Sequence, residues 1–551
     1  MTAKQHLYTR QLVYLILFSL YIVTVEMRPG RVYYLLQTLL FRNSVAALLL
    51  YLLLFAFTTG SLLVLLFNKS KTIRYSFLLL LFPLLSISLT YRFITGYNFA
   101  YTDAQTALSN MHYLQAALST YALPIVLALV SAALVVGALF FLSKRTTLVY
   151  QPWQAGVVVP ALFLSYLYAG STLGNADDFP AFYRVPVSTF LAHQHELPLG
   201  SRHKVAASPT TTGVKHLFMI MDESIIGSAL SLNGNSAATT PYLKAAANRI
   251  INFGIASSTA NYSSGSNIAL MSGIQLAQLP DKKHLALTQP SIFQYASKAG
   301  YKTYFIDAQL GLKVLQNYVS PSDLAYVDHF IQPIDEDPNM PYYERDYAVA
   351  HLLLQLSKSP DKVFVYVNKA GAHWPYARTY PPNAVFFKPT LPERSMLMDH
   401  EKSRNTYYNS VRWTVDGFWK KLLTGITPRD STVIIYTSDH GQDLSGNGIQ
   451  ITHASTTNTT PIEANVPLWL LDESGYTSRY TIPAPNRQAH QQIFPTLLLL
   501  QGYSSSFIHT KYGNTLFDKP ASKPRSFLNG DIFARGPASL VQFDTNKKSR
   551  Q

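Results

Sequence analysis

Ser438-Asp439-His440-Gly441 closes an apolar run, Val433 to Tyr436, and sets a carboxylate beside an imidazole where a strand should stop. That pair reads as half of a metal site. A second strand-like run, 217 to 221, also ends on acids, Asp222 and Glu223. An α/β sheet gathers its chemistry where strands end at the carboxyl edge. A nucleophile belongs near two such endings, and Asn261-Tyr262-Ser263-Ser264-Gly265-Ser266-Asn267 supplies several hydroxyls just before the apolar, helix-like Ile268 to Met271 and Ser272-Gly273. At a helix N-terminus a hydroxyl lies among free backbone N–H groups and the positive dipole end, which favour an anionic oxygen and hold phosphate. Ser and Asn are also the preferred caps, so this segment alone reads first as an ordinary N-cap cluster.

The elements that must position these residues begin near Val214. Apolar runs at 217–221, 302–306, 363–367, 432–437 and 466–471 alternate with helical stretches at 240–249, 290–299, 343–357, 403–423 and 488–501. This alternation predicts an α/β domain over 214–545, with a largely parallel sheet covered by helices on both faces. No internal repeat is visible, and the polar, basic tail beyond Asp531 is expected to fray.

The first third of the chain has a different solvent. Windows at 11–25, 45–67, 75–91, 122–142 and 156–171 are almost free of charge and approach the roughly 20 residues a bilayer core requires. They predict a transmembrane domain of five helices over 1–172. No small-residue cleavage pattern follows the first window; Glu26, Met27 and Arg28 come instead, so it reads as an uncleaved span. Lys69, Lys71 and Arg74 between spans two and three, and Lys144 and Arg145 between spans four and five, place those loops in the cytoplasm and the α/β domain outside, against Arg28, Arg31 and Arg42 in the first outer loop. Between spans three and four, 97–121 carries helical spacing in Ala107, Leu108, Met111, Leu114 and Leu118, expected to lie at the outer interface. A bridging segment, 173–213, holds Pro180, Pro186, Pro198 and Pro209 and a short helix expected at 187–193.

The 551 residues include no cysteine, so the outer domain has no disulfide, and any metal must use nitrogen and oxygen ligands. The net charge of +15 is scattered rather than clustered with aromatics, which argues against nucleic acid and for an anionic membrane surface or glycolipid.

Over nearly its whole length the chain resembles the alkaline phosphatase and sulfatase superfamily, and within it the membrane-anchored phosphoethanolamine transferases of the bacterial envelope. Met221-Asp222-Glu223-Ser224 with Ser231-Leu232-Asn233-Gly234 and Thr239-Thr240-Pro241 looks like that family's first block. Asn368 to Pro375, containing Ala372-His373-Trp374-Pro375, is similar to its substrate-histidine block, and Tyr408-Asn409-Ser410 with Asp416 to its helix between sites. Ser438 to Asp443 followed by His453 is similar to its last metal block. The resemblance implies zinc on Glu223, Asp439 and His440, with the nucleophile's oxygen as fourth ligand and a second metal possible. It puts the nucleophile at Ser263, with Ser264 as runner-up, and has His373 and His453 face the phosphoryl group or a second metal. Serine at the nucleophile, where the transferases usually have threonine, Ile226 where an arginine is common, and Gln442 where an acid is common are departures.

The function so implied is transfer of phosphoethanolamine from phosphatidylethanolamine to lipid A, lipopolysaccharide or another glycan, through a phospho-serine intermediate. The protein is expected to be a monomeric, multi-pass protein of the bacterial inner membrane with its catalytic domain in the periplasm. A glycerophosphate transferase using phosphatidylglycerol, a plain phosphatase or sulfatase, and a non-catalytic lipid-sensing protein of the same fold are the rivals. Loss of metal ligands would mark the last, and Glu223, Asp439 and His440 are all present.

Overall fold

The computed structural model describes residues 3–27, 45–96, 98–109, 114, 118, 121–145, 149–171, 179–194, 197, 199–392, 399–444, 453–454, 459–520, 524–536 and 538–544. The chain forms two compact units, Met1–Leu197 and Pro198–Gln551.

Among the described residues of the first unit four helical segments are long and apolar enough to cross a membrane: Leu49–Leu66, Lys71–Ile94, Ala122–Lys144 and Pro152–Gly170. They correspond to the second to fifth predicted spans. The first, 11–25, lies in the helix Ala3–Tyr21 and its continuation Ile22–Glu26, whose apolar part, Gln11–Glu26, is shorter than the others. At 1.5 Å per residue it falls short of a hydrocarbon core of about 30 Å. Its closing Glu26 is buried. Tyr21 Oη donates to one carboxylate oxygen, Ala181 N donates to the other at 2.8 Å, and Arg184 Nη2 stands 3.8 Å away.

That anchor begins the bridging helix, which runs over Ala181–Gln194 rather than 187–193 and continues through Pro186. Proline removes one intrahelical bond, and the buried face of Tyr183, Val187 and Leu191 outweighs the loss. The two basic loops expected on one side are joined: Lys69 N donates to Tyr150 O at 2.8 Å and Tyr150 N to Phe67 O at 3.0 Å. Of 97–121, Tyr101–Ser109 is helical. Met111 lies outside the described residues, as do Arg28, Arg31 and Arg42.

The second unit is built on a seven-stranded sheet of order β2-β7-β6-β1-β5-β3-β4. The strands are β1 (His216–Asp222), β2 (Ile250–Ser257), β3 (Lys302–Asp307), β4 (His329–Ile331), β5 (Val363–Asn368), β6 (Thr432–Ser438) and β7 (Asn465–Asp472). β6, β1, β5, β3 and β4 are mutually parallel, and β7 runs antiparallel between β6 and β2. The central strands are apolar on both faces because both are covered. Leu217, Met219 and Met221 pack under the helices Ile292–Lys298 and Ile493–Leu500, while Phe218 and Ile220 pack under Arg345–Leu356 and Phe418–Gly425.

All five predicted strands are present. β2 and β4 were not foreseen, since Asn252 and Gly254 break the alternation of β2 at a bulge and β4 has only three residues. The helix expected at 403–423 is interrupted by a π-helical stretch, Arg412–Gly417. The expected fraying beyond Asp531 is corrected as far as residue 544, the rest lying outside the described residues: β9 (Ala538–Gln542) pairs antiparallel with β8 (Ser526–Gly530), because Val541 packs with Phe527 and Phe543.

Candidate active site

Adjacent parallel strands β1 and β6 end in register, Asp222 opposite Ser438, and Asp439 N donates to Asp222 O at 3.0 Å. This register alone sets Glu223 beside Asp439 and His440. The chain turns sharply after Glu223: Ser224 has φ of 64° and donates from N to Asp439 Oδ1 at 2.9 Å and from Oγ to a Glu223 oxygen at 2.6 Å. The loop leaving β5 must pass close by. A Cβ on Gly371, at φ +54°, would lie 2.5 Å from Asp222 Oδ1 and 2.6 Å from Glu223 O, so only glycine fits there.

Glu223, Asp439 and His440, all buried, each offer an atom that lies within 4.8 Å of the others. His440 Nδ1 is 2.8 Å from Gly441 O, which makes Nδ1 a donor and turns Nε2 toward the carboxylates of Glu223 and Asp439, whose charges favour a proton on it. Asp439 Oδ2 is buried with no hydrogen-bond partner among the described residues. Burial and the charge of Glu223 push the Asp439 carboxyl up. Burial acts the same way on Glu223, but the hydrogen bond and charge of His440 outweigh it and hold that group well below the usual carboxylate range. Two buried carboxylates and an imidazole with too few donors among them are a fitting donor set for a divalent cation.

Ser263 opens the helix Ser263–Ser272. Its Oγ lies 3.2 Å from His440 Nε2 and 3.4 Å from Glu223 Oε2. Ser264 turns its hydroxyl to Tyr318 instead. Close packing fixes this turn, since a Cβ on Gly265 would meet the Tyr262 ring at 2.6 Å. His453 stacks on His440 with centroids 4.2 Å apart. His373 Nδ1 donates to Trp374 O at 2.6 Å. Burial lowers the affinity of both histidines for a proton. Asp416 accepts from Tyr242 N and Leu243 N, and Asn409 from Phe386 N and Phe387 N, so these two members of the resemblance hold loops.

A family model described as Sulfatase matches residues 215–503, more than half of the chain. The chain belongs to the sulfatase family. Among its curated relatives, the phosphoethanolamine transferase EptA of Salmonella typhimurium is 24% identical over 307 residues, covering 52% of this chain and 53% of the relative. The EptA of Escherichia coli K12 is 26% identical over 311 residues, 53% of each. The chain thus spans about half the length of the curated relatives it matches. The integral membrane lipooligosaccharide phosphoethanolamine transferase A of Neisseria meningitidis superposes with a TM-score of 0.61 at 18% identity, over 89% of this chain and 95% of that one. The C-terminal periplasmic domain of Escherichia coli EptC, solved in complex with Zn, gives 0.53 at 18% identity, over 64% and 99%.

Three supports of this sulfatase-family site had no role assigned by the sequence pattern. Gln309, just past β3, donates to Glu223 Oε2 at 3.0 Å and to Lys369 O at 2.9 Å. Lys369, just past β5, is fully buried between Asp222 and Asp346. His490 ties the nucleophile's approach to the end of β6: Thr259 N donates to its Nδ1 at 3.3 Å, and its Nε2 lies 3.1 Å from Thr437 Oγ1, whose proton goes to Pro467 O. This arrangement requires neutral imidazole, and burial pushes its pKa down to about 3.

The unfolded histidine, near 6.5, binds a proton that the folded one refuses, so the stabilisation is full above about pH 6.5 and is lost as pH falls toward 3. Between pH 7.5 and pH 5 this amounts to about 2 kcal/mol. His490→Gln is expected to remove that slope from urea unfolding measured at the two pH values. An unchanged slope would show that the folded imidazole takes up a proton.

Proposed function

We propose that this protein is a phosphoethanolamine transferase: it moves the group from phosphatidylethanolamine to an envelope glycolipid such as lipid A or lipopolysaccharide, from the periplasmic face of the bacterial inner membrane. The observation that carries the reading is the convergence of the Ser263 hydroxyl on Glu223 and His440 at the head of a helix. A membrane-spanning unit adds a reason for a lipid donor, because confining enzyme and lipid to one surface raises their effective concentration. The names borne by the relatives agree with it.

Glu223, Asp439 and His440 would hold zinc, which lowers the pKa of a nearby hydroxyl and neutralises charge that develops on phosphoryl oxygens. Ser263 Oγ forms the new bond to phosphorus as the bond from phosphorus to the diacylglycerol oxygen breaks, giving phosphoethanolamine-serine and diacylglycerol. The backbone N–H groups of Ser263, Ser264 and Gly265, in the first turn, face the transferring oxygens. His373 or His453, depleted of protons by burial, takes the Ser263 proton and passes it to the departing diacylglycerol oxygen, then takes the acceptor's proton and passes it to Ser263 Oγ. The acceptor oxygen then attacks phosphorus, and Ser263 leaves.

Incubating the full chain with phosphatidylethanolamine and analysing the peptide spanning 250–283 by mass spectrometry tests this. The expected result is a phosphoethanolamine adduct on Ser263. An adduct on Ser264 would correct the register. A glycerophosphate adduct formed only from phosphatidylglycerol would overturn the donor, and no adduct with either lipid would sink the covalent reading.

A further inference from the structure

Arg378 is a cation brought beside the site with little protein to bind. It ends the turn Tyr376–Arg378 that follows His373. Its guanidinium carbon lies 4.3 Å from the centroid of the Tyr342 ring. That ring is itself fixed, because Tyr342 Oη donates to Ala370 O at 2.8 Å in the loop between β5 and His373. Stacking on the ring orients the guanidinium face and leaves its N–H edges open.

What those edges meet is poor. Nη2 lies 3.4 Å from His373 Nδ1 and 3.4 Å from Trp374 O. The first contact is no bond, since Nδ1 spends its proton on Trp374 O at 2.6 Å and has no lone pair to offer. The second is long and shares an acceptor already taken. Nε is buried with no partner. Among the described residues Arg378 makes no ion pair with any carboxylate. Five N–H donors with one stretched bond among them leave a partly buried charge undercompensated, and the fork of a guanidinium matches the oxygens of a phosphate. The loop that leads to His373 abuts the metal ligands, since Ala372 N donates to Glu223 O at 3.0 Å.

We propose that Arg378, oriented by Tyr342 and adjoining His373, is an anion subsite that binds the non-bridging oxygens of a phosphoryl group. The inference rests on the phosphoryl-transfer reading above. The group bound is either the phosphodiester of the lipid donor or a phosphate carried by the acceptor.

The test uses the full chain in detergent with Arg378→Gln and Arg378→Lys. Inorganic phosphate binding, followed by calorimetry, is independent of turnover. Arg378→Gln is expected to weaken it roughly tenfold or more, the range for losing a hydrogen bond to a charged group, and Arg378→Lys, which keeps the charge without the fork, to fall between. The rate of Ser263 adduct formation from phosphatidylethanolamine and the rate of its discharge to a phosphorylated glycolipid then separate the sources. Slowed formation assigns the donor's phosphodiester, and slowed discharge alone assigns the acceptor's phosphate. Thermal melting checks both variants, and Arg378→Lys decides if Arg378→Gln unfolds. Wild-type phosphate affinity in a folded variant, with both rates unchanged, would overturn the subsite. If no adduct forms even in the wild type, the phosphate titration still decides it.

Discussion

Ser263→Ala is expected to abolish the phosphoethanolamine adduct and to lower transfer by roughly 10⁴-fold or more, the scale on which removing an enzyme nucleophile acts. Two other hydroxyls are near enough to compete on paper. Ser224 Oγ is committed to Glu223 at 2.6 Å and has no exposed surface, so no lipid phosphate reaches it. Ser264 sits one residue along the helix, a rotation of about 100°, which turns its side chain to Tyr318. Ser264→Ala is therefore expected to stay within about threefold of wild type, the loss of one neutral hydrogen bond. Ser263→Thr keeps the hydroxyl and is expected to keep the adduct. The measurement is mass spectrometry of the 250–283 peptide alongside transfer to a glycolipid acceptor. An adduct surviving in Ser263→Ala would move the nucleophile elsewhere.

The parts of this site written in the chain are those carried by strand ends. Glu223 and Asp439-His440 were legible because an apolar run that stops on a carboxylate in an α/β pattern has few other uses, and the register of β1 with β6 does the rest. Ser263 over Ser264 was less so, because choosing between adjacent hydroxyls needs the phase of the helix, which depends on the packing of Gly265 against Tyr262. Gln309 and His490 were not legible at all, and Lys369 lay inside the block 368–375 without a role of its own. Each is polar, each follows or adjoins an ordinary strand or helix pattern, and each acts through a partner more than 50 residues away in the chain, as in Gln309 to Glu223 or His490 to Thr259. The hairpin β8–β9 was lost for the opposite reason: a polar composition says little once a pairing partner exists. In the membrane unit, hydropathy located the spans. It could not show that Glu26, which ends the first apolar run, is turned inward to Ala181 and Arg184 instead of out to water.

Lys369→Met is expected to cost about 3–5 kcal/mol of folding stability, the range for removing one partner of a buried ion pair. The ammonium is, among the described residues, the cation that pairs with two buried carboxylates, Asp222 and, at 3.5 Å, Asp346, and it also donates to Thr414 O at 2.7 Å. Even with it in place, burial pushes Asp222 up to about 6. Without it the Asp222 pKa climbs further above its unfolded value, so between the two the folded variant binds more protons than the unfolded chain. The deficit should accordingly be largest above about pH 7 and shrink as pH falls toward 5. Lys369→Met/Asp222→Asn, which removes the stranded charge, should recover about 1–3 kcal/mol relative to the single variant. The consequence reaches the site because both carboxylates hold backbone. Asp222 Oδ1 accepts Glu223 N at 2.9 Å, and Asp346 accepts Ala370 N and Gly371 N at 2.8 and 3.1 Å, so the same cluster sets the metal ligand and the loop to His373. Urea unfolding at pH 8 and pH 5, with zinc content measured on the same samples, reads both effects. A single variant as stable as wild type at pH 8 would mean that Asp222 is not ionised in the fold and that the cluster holds the backbone by hydrogen bonds alone.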